Sequence, residues 1–428
     1  MNWEVKYYPE YWYGKKLAYP HVPKESGKFA RSMVVGNLVF VSGCTGKDTI
    51  TDKPIAERFE DQMIMALDKV KAAMEEAGSS MENIVKTVML VKHLGDYPKM
   101  RKTEVEYYMR QAPYLVENPP ASTFIAPASL AKPGYLIEID VIGVINRKAP
   151  DWNVKYYAEY WGGKKLAYPQ VPKEHPKFAR TEAVGNLVII SGCEALNHDT
   201  VKVETDDFKE QTRIVLEKIR VGMAETGGSM DNLLKTYVLL KEMKDYPQYR
   251  EVEQEFFKKH APGLAKNPPA STVINVTSLA RPEFLVEVEA FGVIDKKAPG
   301  WATKYYSGSK EASSSVSAGN LLFLSGCDGT NPKTGKMETR VIAQQINIAL
   351  DKVKVGLEAA GSSMEKVVKT FMLLRRLEDY PKMRKVEVEY YQQHAPHLVA
   401  NPPVSTFMQL SSMANPEALF EIDVTAVL

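Results

Sequence analysis

Hydrophobic and polar positions along the first 145 residues fall into blocks of changing period. Leu38-Val39-Phe40-Val41-Ser42 is a short apolar run ended by Gly43, which predicts a buried strand. Between residues 57 and 77, Met63, Ala66, Leu67, Val70 and Met74 recur at helical spacing and stop at Gly78, a helix-capping glycine. Ile84 to Val91 reads as a second strand, and Pro98 suits the first turn of a helix reaching about Gln111. Ser122 to Ala126 and Leu136 to Val144 are the closing strands. The latter sets Glu138 and Asp140 against Ile137, Ile139 and Val141, so one of its faces is polar. The order ββ-α-β-α-ββ predicts an α+β unit with its helices on one face of a sheet.

The same blocks return twice. Gly-Asn-Leu stands at Gly36, Gly185 and Gly319, Ser-Gly-Cys at Ser42, Ser191 and Ser325, Asp-Tyr-Pro at Asp96, Asp245 and Asp379, and Asn-Pro-Pro at Asn118, Asn267 and Asn401. The first offset is 149 residues (185 − 36 and 267 − 118), the second 134 (319 − 185 and 401 − 267). A 15-residue deletion (149 − 134) therefore separates copy three from copy two, between Tyr306 and Gly319. It removes the Glu-Tyr-Trp segment that copies one and two hold at Glu10-Tyr11-Trp12 and Glu159-Tyr160-Trp161. The polar links Asn146–Pro150 and Asp295–Pro299 divide the chain into units 1–149, 150–299 and 300–428. Units of this size, each with one apolar and one mixed sheet face, are expected to close against one another in a ring.

Composition adds little against this picture. Lys and Arg number 55 and Asp and Glu 53, for a net charge of +2, which by itself argues for neither nucleic acid nor membrane as a partner. No apolar run approaches the length of a membrane helix, and the N-terminus does not read as a signal peptide. Three cysteines cannot all pair, so a reducing cytoplasm is the expected setting.

The strand ending in Ser42-Gly43, Ala77-Gly78-Ser79-Ser80-Met81 before Val85-Lys86-Thr87, Asp96-Tyr97-Pro98 before a helix, and Pro120-Ala121-Ser122 before the last hairpin together resemble the RidA/YjgF family. The resemblance covers Phe29 to Val144, Phe178 to Val293 and Ala312 to Leu428. It implies three chorismate-mutase-like units forming a single-chain pseudo-trimer, with a central barrel, outer helices and a small-molecule pocket at each interface. Further self-association is left open. It also implies enamine or imine deaminase chemistry. The family's substrate-binding arginine falls at Ser122, Ser271 and Ser405, and its pocket tyrosine at Phe29, Phe178 and Ala312. A serine hydroxyl cannot neutralise a carboxylate, and losing a bidentate arginine pair removes about 2–5 kcal/mol of binding. The family's water-ordering glutamate is kept as Glu138, Glu287 and Glu421, which can equally be polar strand positions with structural partners.

Other residues also repeat in threes. Cys44, Cys193 and Cys327 could face one central site, although a cysteine at a strand end is more often a small buried hydrophobe. With no Cys-x-x-Cys, repeated histidine, P-loop or dinucleotide fingerprint beside them, neither metal nor cofactor is expected. Arg101, Arg250 and Arg384 open the second helix. A solvated helix face near Glu104, Glu253 and Glu387 is the preferred reading, and a relocated anion site the alternative. Lys86, Lys235 and Lys369, with Ser42, Ser191 and Ser325, are similar to the central Ser-Lys pairs of cyanuric acid hydrolase and barbiturase. The Tyr-Tyr and Glu-Tyr-Trp clusters are read as packing rather than as pocket lids. Three functions stay open: a divergent deaminase-like hydrolase of C–N bonds, a non-catalytic binding or interaction protein, and a ring-opening amidohydrolase. Copies one and two are expected to furnish the better pockets.

Overall fold

The computed structural model describes residues 3–12, 15–16, 29–49, 51–158, 160–161, 164–165, 178–200, 202–309 and 312–428. Each unit is α+β. In the first, sheet order runs Val5–Pro9, Ala30–Val35, Leu38–Thr45, Ile137–Val144, Ile84–Val91, Ala121–Ile125. The closing strands do not form a hairpin. Ile84–Val91 lies between them, antiparallel to Ile137–Val144 and parallel to Ala121–Ile125. The helices Phe59–Glu76 and Tyr97–Gln111 cover one face, and Gly78 takes φ 83°, the left-handed geometry of a helix stop. Sequence periodicity gave no sign of Val5–Pro9, which pairs antiparallel with Ala30–Val35.

The two faces of the sheet go to different places. Val39, Val41, Ile137, Ile139 and Val141 pack under the helices with Met63, Leu67, Val70 and Met74, and units two and three have equivalent private cores. Leu38, Phe40, Ile142 and Val144 face the other way, into a cluster shared with Leu187, Ile189, Phe291, Leu321, Phe323 and Val427 of the other units. Burial of both faces explains the unbroken apolar run at 38–41. Trp3, Trp152 and Trp301, one beside each unit, meet edge to face at centroid distances of 4.9, 5.1 and 5.5 Å.

The units join through one seam repeated three times. Ala179 N donates to Pro120 O (3.1 Å), Ser313 N to Pro269 O (3.3 Å) and Ala30 N to Pro403 O (3.1 Å), so unit 2 abuts unit 1, unit 3 abuts unit 2 and unit 1 abuts unit 3. No described helix is long and apolar enough to cross a membrane.

Candidate functional site

A pocket opens at each seam. On one side stand a helix arginine and a strand serine of one unit, and on the other the Ser-Gly turn and closing-strand glutamate of the next. The 3–1 pocket, about 760 Å³, places Arg384, Ser405 and Phe407 opposite Phe29, Ser42, Gly43, Cys44, Lys69 and Glu138. The 2–3 pocket, about 810 Å³, places Arg250 and Ser271 opposite Ala312, Ser325, Gly326, Cys327, Lys352 and Glu421. The 1–2 pocket, with Arg101 and Ser122 opposite Phe178, Gly192 and Glu287, is only about 150 Å³. There Leu196 and Phe284 stand where unit 1 has Lys47 and Tyr135. The pocket between copies one and two is thus the smallest of the three.

The Ser-Gly turn is fixed by crowding. A Cβ on Gly43, Gly192 or Gly326 would lie 1.9 Å from a carboxylate oxygen of Glu138, Glu287 or Glu421. The serine before it holds the seam. Ser42 Oγ donates to Ala30 O (2.6 Å) and accepts from Ser405 N (2.9 Å), and Ser191 and Ser325 repeat both bonds. The lysines of the alternative Ser-Lys reading are each held by a carboxylate. Lys86 pairs with Glu289 (2.8 Å) and bonds Thr123, Lys235 pairs with Asp423, and Lys369 with Asp140, each across a unit boundary. A serine whose proton goes to a main-chain carbonyl and a lysine held by a carboxylate are not an activated pair.

All three glutamates are buried, and burial pushes each carboxyl up to about 8. For Glu138 the Phe407 N–H of unit 3, 3.4 Å from Oε1, and nearby Lys47 and Arg384 work against that rise, while Asp140 adds to it. These groups are therefore neutral acids near pH 7.

The arginines correct the solvated-face reading, for Arg101, Arg250 and Arg384 are 2%, 6% and 3% exposed. Each donates to the glutamate one turn on, at 2.8, 2.5 and 2.8 Å, and its guanidinium lies 5.2–5.4 Å from the ring of Tyr97, Tyr246 or Tyr380. The signal was present in the sequence. Tyr, Arg and Glu at i, i+4 and i+7 share one helix face in all three copies, a stripe that polarity alone disguised. Arg250 Nη2 donates to Ser271 Oγ (2.9 Å) and Arg384 Nη2 reaches Ser405 Oγ at 3.4 Å, so the cation sits beside the strand serine of its own unit.

The cysteines do not converge. Cys44, Cys193 and Cys327 lie in three separate cores, and burial pushes the Cys44 and Cys327 thiols up to about 12. No cluster of metal-ligating side chains occurs among the described residues. Glu10 and Tyr11 line the 3–1 pocket, with Glu10 3.1 Å from Arg31, so this segment is a pocket wall as well as packing. Glu159 lies outside the described residues.

The polar face of Ile137–Val144 is the inter-unit face: Glu138 serves a pocket and Asp140 neutralises Lys369. One feature escaped the pattern reading. Glu182, in Ala179–Val184, is fully buried where unit 1 has Met33, with Arg147 3.6 Å away, and burial pushes its carboxyl up to about 8.

Comparison with known proteins agrees with this geometry. The model of the endoribonuclease L-PSP family matches residues 20–145, 170–294 and 306–428. A RutC family protein of Pyrococcus horikoshii is 38% identical over 119 residues, 28% of this chain and 88% of that protein. A 2-iminobutanoate/2-iminopropanoate deaminase of Dermatophagoides farinae is 27% identical over 129 residues, 30% of this chain and 94% of that protein. A solved chorismatase matches at TM-score 0.51 and 11% identity over 81% of this chain and 93% of its own, a likeness of fold alone. Since the family model matches once in every unit and each relative spans about one unit, the chain belongs to the endoribonuclease L-PSP family, that of the RidA/YjgF proteins, as a fusion of three copies.

Proposed function

We propose that units 1–149, 150–299 and 300–428 form a single-chain pseudo-trimer around a central barrel, and that its 3–1 and 2–3 pockets bind and hydrolyse a small imine or enamine carrying a carboxylate. The repeated seam hydrogen bonds and the shared inner cluster support the architecture. The observation that carries the chemistry is Arg250 Nη2 at 2.9 Å from Ser271 Oγ: the helix arginine brings back the positive charge that the strand serine lacks. Relatives named as a 2-iminobutanoate/2-iminopropanoate deaminase and a 3-aminoacrylate deaminase point to the same substrate class. Three buried thiols with no disulfide among the described residues suit a reducing cytoplasm.

On this reading Arg384 or Arg250 holds the carboxylate. Water adds to the imine carbon, the C–N bond breaks, and ammonia leaves a 2-oxo acid. Glu138 or Glu421, neutral near pH 7, gives its proton to the departing nitrogen and takes one from the attacking water. Turnover should therefore fall as pH rises through about 8.

The test is ammonia release from freshly generated 2-iminobutyrate above the spontaneous rate. Arg250→Lys with Arg384→Lys, which keep the charge but lose the fork, should lower kcat/KM by about 10²-fold. Saturable binding of the carboxylate without ammonia release would instead identify a binding protein on the same scaffold. Wild-type turnover in the double variant would remove the arginines from the site.

A further inference from the structure

One lysine recurs just behind the Ser-Gly-Cys turn of every unit: Lys69, Lys218 and Lys352, on the first long helix. Its surroundings depend on the residue after the cysteine, which is Thr45, Glu194 or Asp328. Lys218 lies 3.4 Å from Glu194, a carboxyl that burial would raise but that Lys218 and His198 hold down at about 2. Lys352 is 2.7 Å from Asp328. Lys69 has no such acid. Its Nζ donates to Thr45 O at 3.0 Å and Lys47 O at 2.6 Å, and among the described residues it makes no ion pair. It lines the 3–1 pocket together with Arg384.

A neutral amine has two N–H groups and one lone pair. In the deprotonated fraction two carbonyl acceptors take both N–H groups and leave the lone pair for the pocket, where the ammonium holds its third N–H. The charged groups around the amine do not offset this. Glu10 is engaged by Arg31 at 3.1 Å and Lys47 by Asp52 at 3.1 Å. Burial, with Lys47 close by, lowers the Lys69 amine to about 8 against the opposing pull of Cys44, Glu10 and Asp48.

We propose that Lys69 is a reactive amine of the 3–1 pocket that condenses reversibly with the carbonyl of a small 2-oxo acid whose carboxylate Arg384 holds. The lone pair adds to the carbonyl carbon, the carbinolamine loses water, and a protonated imine joins Nζ to the ligand; hydrolysis reverses each step. No oxidant or reductant is consumed. The carboxylate part rests on the Arg384 reading above, but the amine does not.

The test treats the whole protein with pyruvate and sodium cyanoborohydride near neutral pH, then maps modified peptides by mass. Adduct on Lys69 should exceed that on Lys218, Lys352 and the exposed Lys102 by about tenfold or more. It should vanish from this position in Lys69→Arg while the unfolding midpoint stays unchanged. A parallel arm uses propanal, which has no carboxylate. Labelling of Lys69 by propanal but not by pyruvate supports the amine and overturns Arg384 as its anion partner. Labelling of exposed lysines alone, with either probe, overturns the proposal.

Discussion

The seam between units 1 and 2 and that between units 2 and 3 are held by the same bonds, yet one encloses about 150 Å³ and the other about 810 Å³. In both, a serine hydroxyl of the later unit accepts the main-chain N–H of a strand serine in the earlier one, at 2.8 and 2.9 Å. In both, a glutamate presses against a glycine that can carry no Cβ. The two differ in their walls. Phe284 and Leu196 crowd the narrow pocket, while unit 3 has Ala418 at the place of Phe284. Scaffold and cavity are thus specified by different residues, and a cavity can close without loss of the joint that frames it.

The largest expected effect tests whether the open seams alone carry turnover. Glu138→Gln combined with Glu421→Gln should lower ammonia release by about 10²–10⁴-fold, the usual worth of a positioned acid. Glu287→Gln, in the narrow seam, should leave the rate within about twofold. Equal losses from both variants would abolish the distinction between open and closed seams.

The second reopens the narrow seam. Phe284→Ala should cost about 3–5 kcal/mol in denaturant unfolding, because a buried ring leaves a void. It should also raise the carboxylate-binding stoichiometry seen by calorimetry from two sites to three. An unchanged stoichiometry would show that more than the ring blocks this pocket.

The smallest concerns the same joint from its inner side. Replacing Glu182 by Met, the residue unit 1 carries at Met33, removes a buried carboxyl whose oxygens have no hydrogen-bond partner and should stabilise the protein by about 1–3 kcal/mol near neutral pH. The sign of the pH dependence follows from the folded carboxyl titrating at about 8, above its ordinary value of 4.5. Between those values the unfolded chain has lost the proton and the folded chain keeps it, so wild-type stability falls as pH rises. The gain from Glu182→Met should grow with pH across that window, by up to about 1.4 kcal/mol per unit. A gap that stays flat with pH would mean that Arg147 already keeps Glu182 ionised.

How much of this could be read in the sequence depends on what each residue answers to. The repeats, the helix ending at Gly78 and the helix beginning at Tyr97-Pro98 answer to local backbone rules, and periodicity displays them directly. The strand Val5–Pro9 answers only to its partner Ala30–Val35, more than twenty residues away, so no local pattern announces it. Among candidate site residues, the glutamates were found by resemblance, and they lie beside the seam glycines. The arginines were misjudged because polarity alone hid a Tyr-Arg-Glu stripe whose members pack on one another within each unit. The serine-lysine pairing failed for another reason: the acids that claim Lys86, Lys235 and Lys369 come from other units, far away in sequence.

The seam bonds have a further consequence because all three lie within one polypeptide. When identical chains associate, any change at a joint is copied to every joint, and dilution separates the partners. Here each joint is encoded by its own stretch of chain, so one can be altered while the others stay as they are. The tether also keeps each neighbour at an effective concentration of about millimolar however dilute the protein becomes. Thermal unfolding should accordingly show a midpoint that does not move with protein concentration, which leaves the three joints free to drift apart in sequence while the ring stays closed.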